Sequence, residues 1–387
     1  MKKRRKICIV VSSEMTVRAF LMRHIAALSE KYDVSVVVNT SNTAFLKQLG
    51  LSANLVSIPI ERKISPLKDL YALLRLAKLF KDGRFDVVHS MTPKAGLLAM
   101  LAAKAARVPV RVHIFTGQVW VVKKGFARCG LKWIDKMLAG CATHLLTDSN
   151  SQKKFLVDEG VATDRTLKVL ANGSICGVDT ERFCFAPESR SVIRSSLGIS
   201  GNEIVLLYIG RLNRDKGLLD LAAAFAKLCA CFNNVKLVVV GTDEQEIRQV
   251  MASICREWED RLFFVDFTDQ PEKYMSAADI VCLPSYREGF GSVIIEAAAV
   301  GLPSVASKIY GLTDAVDDGE TGLLHEPGNV EELTRQLHKL IQNPEFRSRV
   351  GANARIRAER HFSGARVTAA WLEYYGRILE HDGKAFF

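Results

Sequence analysis

The chain has 387 residues, of which 48% are hydrophobic and 25% charged, and no repeat or low-complexity tract interrupts it. This composition excludes a disordered chain, and the length exceeds the size at which a single core keeps growing, so we expect two domains. The net charge of +11 favours an anionic partner. No recognised nucleic-acid-binding motif accompanies the charge, which disfavours nucleic acid.

The cysteines and the hydropathy of the chain indicate the cellular compartment in which the protein works. The nine cysteines are scattered and mostly set in apolar runs, as is typical of reduced thiols in a cytoplasmic protein. Cys229 and Cys231 are the only close pair in the sequence, and no second pair or nearby histidine accompanies them, so we expect no metal site. No charge-free apolar run approaches the roughly 18 residues of a membrane span. We therefore expect a protein that is not integral to a membrane.

In the first half of the chain, short apolar runs alternate with helical patterns, beginning with an apolar run at 7–11. This alternation predicts a parallel sheet covered by helices on both faces, which is a Rossmann-like unit. The first predicted strand runs into residues 12–16, which contain no glycine. The glycine fingerprint of dinucleotide binding is therefore missing, and an NAD-dependent oxidoreductase is disfavoured.

Two basic segments that also contain large apolar residues lie in this half. The cations of the first segment are Arg62, Lys63, Lys68, Arg75, Lys78, Lys81 and Arg84. The second segment, at 123–136, contains Phe126 and Trp133. Each segment is either an amphipathic helix packed on its own sheet or an element that lies in a membrane interface. Because both fall in the same half, we favour membrane contact.

The alternation breaks between Asn172 and about Pro187 and restarts with a strand at Ile204–Ile209. We predict an N-terminal Rossmann-like domain at 1–185 and a second one at 186–364. The final segment, at 365–387, carries a helical pattern with aromatic residues. We expect its helix to pack toward the N-terminal domain.

The loop after the strand at Ile204–Ile209 carries Arg211 and Lys216. Ligands of parallel α/β sheets bind at the carboxyl ends of the strands, where this loop lies. An arginine fork and a lysine point charge in one such loop can converge on a diphosphate. Surface salt bridges are the alternative explanation for the two cations.

A second polar loop follows the apolar run 280–283 and leads into a predicted helix that starts near Gly291. A helix start offers unpaired backbone N–H groups and a partial positive charge, which suit a phosphate or a sugar hydroxyl. Glu288 precedes this start and Glu296 lies about one turn inside the helix. Two carboxylates with amides between them match the layout of a nucleotide sugar.

The second half of the chain carries a set of motifs, namely Gly210-Arg211-Leu212 with Lys216-Gly217, Pro284-Ser285 with Glu288-Gly289-Phe290-Gly291 and Glu296-Ala297, and Gly301-Leu302-Pro303. Taken together, these motifs resemble the retaining glycosyltransferases of the GT-B fold, the "glycosyl transferases group 1" family of bacterial surface-polysaccharide synthesis. The resemblance covers most of the chain. It implies an α/β protein with two Rossmann-like domains that face a cleft.

The resemblance also implies roles for individual residues. Arg211 and Lys216 would hold the donor diphosphate, Glu288 would bind a hydroxyl of the transferred sugar, and Glu296 would bind the ribose hydroxyls. The other donor contacts would come from the amides of Gly289, Phe290 and Gly291 to the sugar, from those of Ser292 and Val293 to the β-phosphate, and from Val265 and Phe267 to a uracil base.

The first domain would supply the acceptor site. Many relatives carry His-Gly near the end of the fifth strand, whereas this chain has His113 three residues before Thr116-Gly117. Either His113 or Thr116 would reach the sugar, and we count His113 among the catalytic candidates, although a structural role is the alternative. Lys94 could approach an anionic acceptor, but a helix start explains it equally well.

The resemblance and the charge together predict an enzyme that moves a hexose or N-acetylhexosamine from a UDP-sugar to a lipid-diphosphate-linked glycan. We expect it to work on the cytoplasmic face of the inner membrane, in surface-polysaccharide or glycoprotein glycan assembly. No Asp-x-Asp metal motif is present, so Arg211 and Lys216 would neutralise the diphosphate without metal or cofactor. The alternatives are a nucleotide-sugar epimerase of the same fold and a non-catalytic nucleotide-sugar-binding subunit. The oligomeric state is not predicted.

Overall fold

The structure is a computed structural model that describes residues 4–61 and 64–380. Three parts of the predicted features lie outside the described residues. They are the start of the chain at 1–3, Arg62 and Lys63 of the first basic segment, and residues 381–387 of the predicted C-terminal segment. Over the described ranges, no helix has both the length and the hydropathy that a membrane crossing requires.

The chain divides into two compact units. The first comprises Met1–Cys176 and Gly364–Phe387, and the second comprises Gly177–Ser363. Residues 177–185, which the sequence places at the end of the first domain, therefore belong to the second unit. Their backbone is hydrogen-bonded within the second unit, where the N–H of Val178 donates to the carbonyl oxygen of Phe362 at 2.7 Å.

The first unit contains a seven-stranded parallel sheet with the strand order β3-β2-β1-β4-β5-β6-β7. Its strands are β1 Lys6–Val10, β2 Asp33–Val38, β3 Asn54–Ser57, β4 Val87–Met91, β5 Val110–Phe115, β6 His144–Thr147 and β7 Leu167–Val169. Side chains of β1 alternate between the two faces of the sheet, as the two-residue period of a strand requires. Ile7 and Ile9 enter one buried cluster and Cys8 and Val10 the other.

Helices cover both faces of this sheet. In chain order they are α1 Glu14–Thr16, α2 Met22–Lys31, α3 Phe45–Gln48, α4 Pro66–Gly83, α5 Pro93–Ala105, α6 Gly125–Cys141 and α7 Asn150–Asp158, with a π-helical turn at Val17–Leu21. The π-helical turn, α2 and α3 pack into the cluster of Ile7 and Ile9, and α4 to α7 pack into the cluster of Cys8 and Val10. The alternation in the sequence therefore predicted the layers of this unit correctly.

The second unit contains a six-stranded parallel sheet with the order β10-β9-β8-β11-β12-β13. Its strands are β8 Ile204–Ile209, β9 Val235–Val240, β10 Leu262–Val265, β11 Ile280–Leu283, β12 Ser304–Ser307 and β13 Gly322–His325. Its helices are α8 Pro187–Ser196, α9 Leu218–Cys231, α10 Ile247–Ile254, α11 Pro271–Ala277, α12 Ser292–Val300, α13 Leu312–Ala315, α14 Val330–Gln342 and α15 Pro344–Phe362, with 3₁₀ turns at Arg214–Lys216 and Arg256–Arg261. The expectation of two Rossmann-like domains is confirmed.

The last helix, α16 (Gly364–Glu380), belongs to the first unit. Its Trp371 is buried between two imidazoles, with ring centroids 4.4 Å from His24 and 4.8 Å from His89. The hydroxyl of Tyr375 lies 2.7 Å from Nδ1 of His89. An aromatic side of α16 thus completes the core of a unit whose other elements all precede residue 177.

Candidate active site

Two loops of the second unit meet where its strand order changes direction. Strands β8 and β11 are hydrogen-bonded neighbours, with β9 and β10 on one side and β12 and β13 on the other. The loops that follow β8 and β11, at 210–217 and 284–291, therefore leave the same edge of the sheet side by side. Such a switch point is the usual ligand site of an open α/β sheet.

The two loops touch through their backbones at Gly217. This glycine has φ +66°, and a Cβ atom there would lie 1.9 Å from the carbonyl oxygen of Pro284. The N–H of Tyr286 also donates to the carbonyl oxygen of Asp215 at 2.9 Å. Because no side chain fits at Gly217, the close approach of the loops requires glycine at that position.

Lys216 and Glu288 form an ion pair across the two loops. Nζ of Lys216 lies 2.5 Å from Oε1 of Glu288, and Oγ of Ser285 donates to the same oxygen at 2.9 Å. The lysine and glutamate side chains are only 16% and 13% exposed. The structure therefore brings together a cation and a carboxylate that the sequence predicted from separate motifs.

Arg211 pairs with a different carboxylate, although it lies on the same loop as Lys216. Its Nη1 lies 3.1 and 2.9 Å from the two carboxylate oxygens of Glu244, and Nδ2 of Asn213 donates to Glu244 at 3.0 Å. The guanidinium-bearing side chain is 43% exposed. The two cations are thus held by separate partners, which is a detail that their spacing in the sequence does not show.

Glu244 also belongs to the candidate site, although it was not predicted from the sequence. It follows β9, the strand beside β8, and its loop approaches the β8 loop closely, since a Cβ atom at Gly241 would lie 1.9 Å from the carbonyl oxygen of Gly210. A glycine followed by polar residues after an apolar run was the available signal. It marks a third strand end at this edge of the sheet.

The start of α12 lies at the end of the second loop. Gly291 precedes the helix with φ +79° and supplies no side-chain cap. The N–H groups of Ser292 and Val293 lie in the first turn, where intrahelical acceptors are missing. The helix thus starts where the sequence predicted, and N–H groups in such a first turn suit an anion.

Phe290 anchors the loop and does not present its ring to solvent. The side chain is 3% exposed, and its ring centroid lies 5.3 Å from that of Phe362. The adjacent Gly289 is in close backbone contact with Gly311, where a Cβ atom would lie 2.2 Å from the Gly289 carbonyl oxygen. The Phe290 ring is therefore not available to a ligand, which leaves the backbone of 289–291.

Glu296 lies one turn inside α12 and is half-buried. Burial raises the pKa of its carboxyl to about 7, although the positive charge of Arg182 acts in the opposite direction. That guanidinium is itself paired with Glu272 at 2.9 Å. Glu296 is therefore a carboxyl group whose charge changes near neutral pH.

The predicted base-binding segment lies at the end of β10. The carbonyl oxygen of Val265 already accepts hydrogen bonds from the Gly241 N–H and from Nη2 of Arg248, both at 3.0 Å. The ring of Phe267 is 61% exposed. A base at this position would therefore meet the Phe267 ring and the backbone beyond Val265, and the Val265 carbonyl itself is already in use.

His113 lies in β5 and is buried in the first unit. Its Nδ1 is 2.9 Å from Oγ of Ser90, and a Cβ atom at Gly96 of α5 would lie 2.4 Å from its Cε1. Burial lowers the pKa of the imidazole to about 3. The ring is thus a neutral group packed between a strand and a helix, which favours the structural interpretation that the sequence left open.

Thr116 and Gly117 follow the carboxyl end of β5. Thr116 is half-buried, and Gly117 has φ +100°. Lys94 lies in the first turn of α5, with its Nζ 2.5 Å from Oδ1 of Asp69 in α4. The ammonium of Lys94 is therefore already engaged by a carboxylate of the protein.

A buried carboxyl at the same edge was not found from the sequence. Asp148 directly follows β6 and is 2% exposed, and burial raises the pKa of its carboxyl well above the usual range. Its Oδ1 has no hydrogen-bond partner among the described residues. The signal was an aspartate at the end of a short apolar run. Over the same ranges, no group of three or more His, Cys, Asp or Glu side chains is placed to hold a metal ion.

Two family models match the chain, one in each unit. The model described as "Glycosyl transferase 4-like domain" matches residues 16–173, and the model described as "Glycosyl transferases group 1" matches residues 189–357. Together they match most of the chain, and the second includes the loops after β8, β9 and β11.

Curated relatives span nearly the same length. The capsular polysaccharide biosynthesis glycosyltransferase CapM of Staphylococcus aureus is 29% identical over 367 residues, which cover 94% of this chain and 96% of that protein. The UDP-Gal:alpha-D-GlcNAc-diphosphoundecaprenol alpha-1,3-galactosyltransferase of Escherichia coli is 28% identical over 321 residues, 81% of each chain.

A solved structure has the same fold. Alr3699/HepE of Anabaena, crystallised with UDP and glucose, matches with a TM-score of 0.80 and 22% identity, over 96% of this chain and 100% of that one. The two matched domains, the full-length relatives and the shared fold lead to one conclusion. The chain is a glycosyltransferase of the GT-B fold and belongs to the group 1 glycosyltransferase family.

Proposed function

We propose that this enzyme transfers a hexose or N-acetylhexosamine from a UDP-sugar to a lipid-diphosphate-linked glycan, with retention of the anomeric configuration. The observation that carries the proposal is the Lys216–Glu288 pair at the switch point of the second sheet, beside the uncapped start of α12. CapM, named for capsular polysaccharide biosynthesis, and the E. coli galactosyltransferase, named for a diphosphoundecaprenol-linked acceptor, support surface-polysaccharide assembly and a lipid-diphosphate acceptor. The UDP complex of HepE supports a uridine nucleotide.

In this proposal each charged group binds one part of the donor. Lys216 and Arg211 neutralise the diphosphate, and Glu288 accepts a hydrogen bond from a hydroxyl of the transferred sugar. Glu296 accepts hydrogen bonds from the ribose hydroxyls. The short distance from Lys216 to Glu288 fits a ligand whose phosphate and sugar are directly joined, because the two groups would meet adjacent parts of it.

The remaining contacts come from the backbone. The N–H groups of Ser292 and Val293 bind the β-phosphate, and the amides of 289–291 face the sugar. The ring of Phe267 and the backbone beyond Val265 contact the uracil. None of these contacts needs a side-chain hydrogen bond, which fits the small and apolar residues at 289–293.

The chemistry follows from where charge develops. The bond between the anomeric carbon and the diphosphate oxygen breaks, an acceptor hydroxyl oxygen bonds to that carbon, and its proton passes to the departing phosphate. Preset cations and helix amides stabilise the negative charge on the leaving group, which lowers the barrier. Arg211 and Lys216 supply the positive charge, so we expect metal-independent turnover.

The first unit supplies the acceptor side in this proposal, with Thr116 and Gly117 at the end of β5 as the candidate contacts. The acceptor glycan is linked to a lipid that lies in the membrane. In this proposal the enzyme therefore works peripherally, on the cytoplasmic face of that membrane. The excess of basic residues supports an anionic surface as its partner.

Transfer from radiolabelled nucleotide sugars to lipid-linked acceptors, with and without EDTA, tests the proposal. We expect a labelled lipid product from a UDP-sugar, unchanged by EDTA, and a loss of about a hundredfold or more in Glu288→Gln. Glu257→Gln, an exposed site in the same unit, is the matched control. Epimerisation without acceptor, or full transfer by the Glu288 variant, would contradict the proposal.

A further inference from the structure

Helix α4 carries apolar side chains on two opposite sides. Ala72, Leu76 and Phe80 are buried against the sheet. Four further apolar residues are exposed, namely Leu67 (84%), Leu70 (53%), Tyr71 (50%) and Leu74 (62%). At 3.6 residues per turn, these four lie on an arc of about 100° on the side away from the buried residues. Packing within the first unit does not explain them.

Helix α6 adds two exposed aromatic residues, Phe126 (96%) and Trp133 (62%). Helix α5 packs against both α4 and α6, and the inner sides of all three enter one buried cluster. The outer sides of α4 and α6 therefore face solvent from the same side of the sheet. We call the six exposed residues of these two helices the α4–α6 surface.

The α4–α6 surface lies toward the carboxyl edge of the first sheet. A helix that follows a parallel strand starts at that edge, and the exposed residues fall in the first half of each helix. The contact between Lys94 and Asp69 ties the first turns of α5 and α4 together. The loop that begins with Thr116 and Gly117 runs directly into α6. The surface thus adjoins the proposed acceptor side.

Basic residues accompany the apolar ones. Lys68, Arg75, Lys78, Lys81, Lys123 and Lys124 are exposed on or beside the two helices. Of the acidic residues on α4, Asp69 is paired with Lys94, and Asp82 lies at the far end of the helix. The Arg75 guanidinium donates to the Tyr71 hydroxyl at 2.9 Å, so its stem lies along the apolar stripe and its charge at the margin.

This combination distinguishes among possible occupants. Apolar and aromatic side chains flanked by cations match the interfacial region of a bilayer that contains anionic lipids. A second copy of the same surface would place its cations against like charges, which disfavours self-association. The charge pattern therefore selects a membrane.

We propose that the α4–α6 surface inserts into the headgroup region of an anionic membrane and holds the carboxyl edge of the first sheet against the lipid. The surface is assigned from the exposed residues of α4 and α6. Its purpose, delivery of the enzyme to a lipid-linked acceptor, rests on the proposed function.

Co-sedimentation with phosphatidylcholine vesicles, with and without about 30% phosphatidylglycerol, tests the surface. We expect the full chain to bind the anionic vesicles. The variant L67S/Y71S/L74S should bind them at least about tenfold more weakly. The variant V192S/I356S removes two exposed apolar residues of the second unit and should bind like the wild type. Equal binding by the α4 variant and the wild type would overturn the proposal.

Tryptophan fluorescence gives a second readout. Trp120 and Trp371 are buried and Trp258 is half-buried in the second unit, so a blue shift on addition of anionic vesicles that is absent in Trp133→Phe reports insertion at α6. Vesicle binding needs neither donor nor acceptor, so it can succeed where sugar transfer fails. A dimer in solution that L67S/Y71S/L74S converts to a monomer, with no vesicle binding by either form, would show that a second copy occupies the surface.

Discussion

Lys216 and Glu288 are 72 positions apart in the chain and share one hydrogen-bonded contact. A charge that is taken out of water is costly unless it is paired, and each of these side chains is mostly removed from solvent. The pair therefore keeps both charges in place in the free enzyme, at the position where we propose that the sugar and the phosphate bind. Since each group orients the other, their contributions to catalysis are expected to be coupled.

A double-mutant cycle on this pair checks the coupling. We expect Lys216→Met and Glu288→Gln each to lower kcat/KM by a factor of about 10² to 10³, because each removes a charged contact from the donor site. The double variant should lose no more than about tenfold beyond the worse single variant, since groups that act as a unit are not additive. Losses that multiply would show two independent groups.

The titration of Glu296 gives a pH dependence of donor binding. Its carboxyl has a pKa of about 7 in the free protein, and the carboxylate accepts ribose hydrogen bonds better than the neutral acid. If only the ionised form binds well, affinity for UDP rises about tenfold between pH 6 and pH 8. Calorimetric titration of the wild type and Glu296→Gln measures this, because UDP itself titrates equally in both. The same pH profile in both proteins would contradict the assignment.

At the scale of elements, the site depends on how tightly the loops after β8, β9 and β11 pack. Gly217 touches Pro284, and Gly241 touches Gly210, each at a distance that no Cβ atom allows. These contacts fix the start of α9 against the loop that leads into α12. The residues that we propose to bind the donor therefore lie on loops whose backbones are packed against each other.

Two glycine substitutions distinguish the cost of breaking the loop contact from the cost of the left-handed backbone conformation. Gly217 and Gly198 both have φ +66°, but only Gly217 is blocked, since nothing lies within 4 Å of a Cβ at Gly198. Gly198→Ala should cost about 1 to 2 kcal/mol for the left-handed conformation alone. Gly217→Ala should cost more and also weaken UDP binding. Thermal unfolding and UDP titration measure both effects, and equal behaviour of the two variants would refute the contact.

The histidines around α16 predict acid sensitivity of the first unit. Burial lowers the pKa of His24 to about 4 and that of His89 to about 3, below the ordinary value of 6.5. The unfolded chain therefore takes up protons below about pH 6.5 that the folded chain does not, so stability falls as the pH drops from 6.5 toward 4. Asp135, whose pKa burial raises to about 6, acts in the opposite direction.

Thermal unfolding between pH 7.5 and pH 5 measures this effect. We expect His24→Gln to lower Tm at neutral pH, because it loses the stacking on Trp371, and to flatten the fall of Tm toward acid pH. The exposed His361 provides the matched control, and His361→Gln should keep the wild-type slope. An unchanged slope in His24→Gln would show that His24 does not cause the acid sensitivity.

At the scale of the whole molecule, hydrophobic periodicity predicted both sheets, because buried parallel strands read as short apolar runs between helices. It failed where polar groups decide the structure. Residues 244–258 have the apolar spacing of one helix, but Asp243 accepts hydrogen bonds from the N–H groups of Gln245, Ile247 and Arg248, so α10 starts only at Ile247. It ends at Ile254, before the 3₁₀ turn at Arg256–Arg261.

The candidate site, like the fold, could be predicted only in part from the sequence. Motif residues at neighbouring strand ends were found, because parallel strands bring their carboxyl ends to one edge. Their partners were not found, since Glu244 pairs with Arg211 across a third loop that only the strand order reveals. Likewise, the burial of His113 depends on Gly96 in the preceding helix, which a strand pattern does not show.

The return of α16 to the first unit affects how the chain folds during synthesis. Residues up to Cys176 leave the ribosome well before Trp371, yet Trp371 fills the space between His24 and His89. The second unit is continuous and can fold as soon as it emerges, whereas the first must wait with part of its core open until translation is nearly finished. A nascent chain stalled after Ser363 would therefore carry a finished second unit and an unfinished first unit.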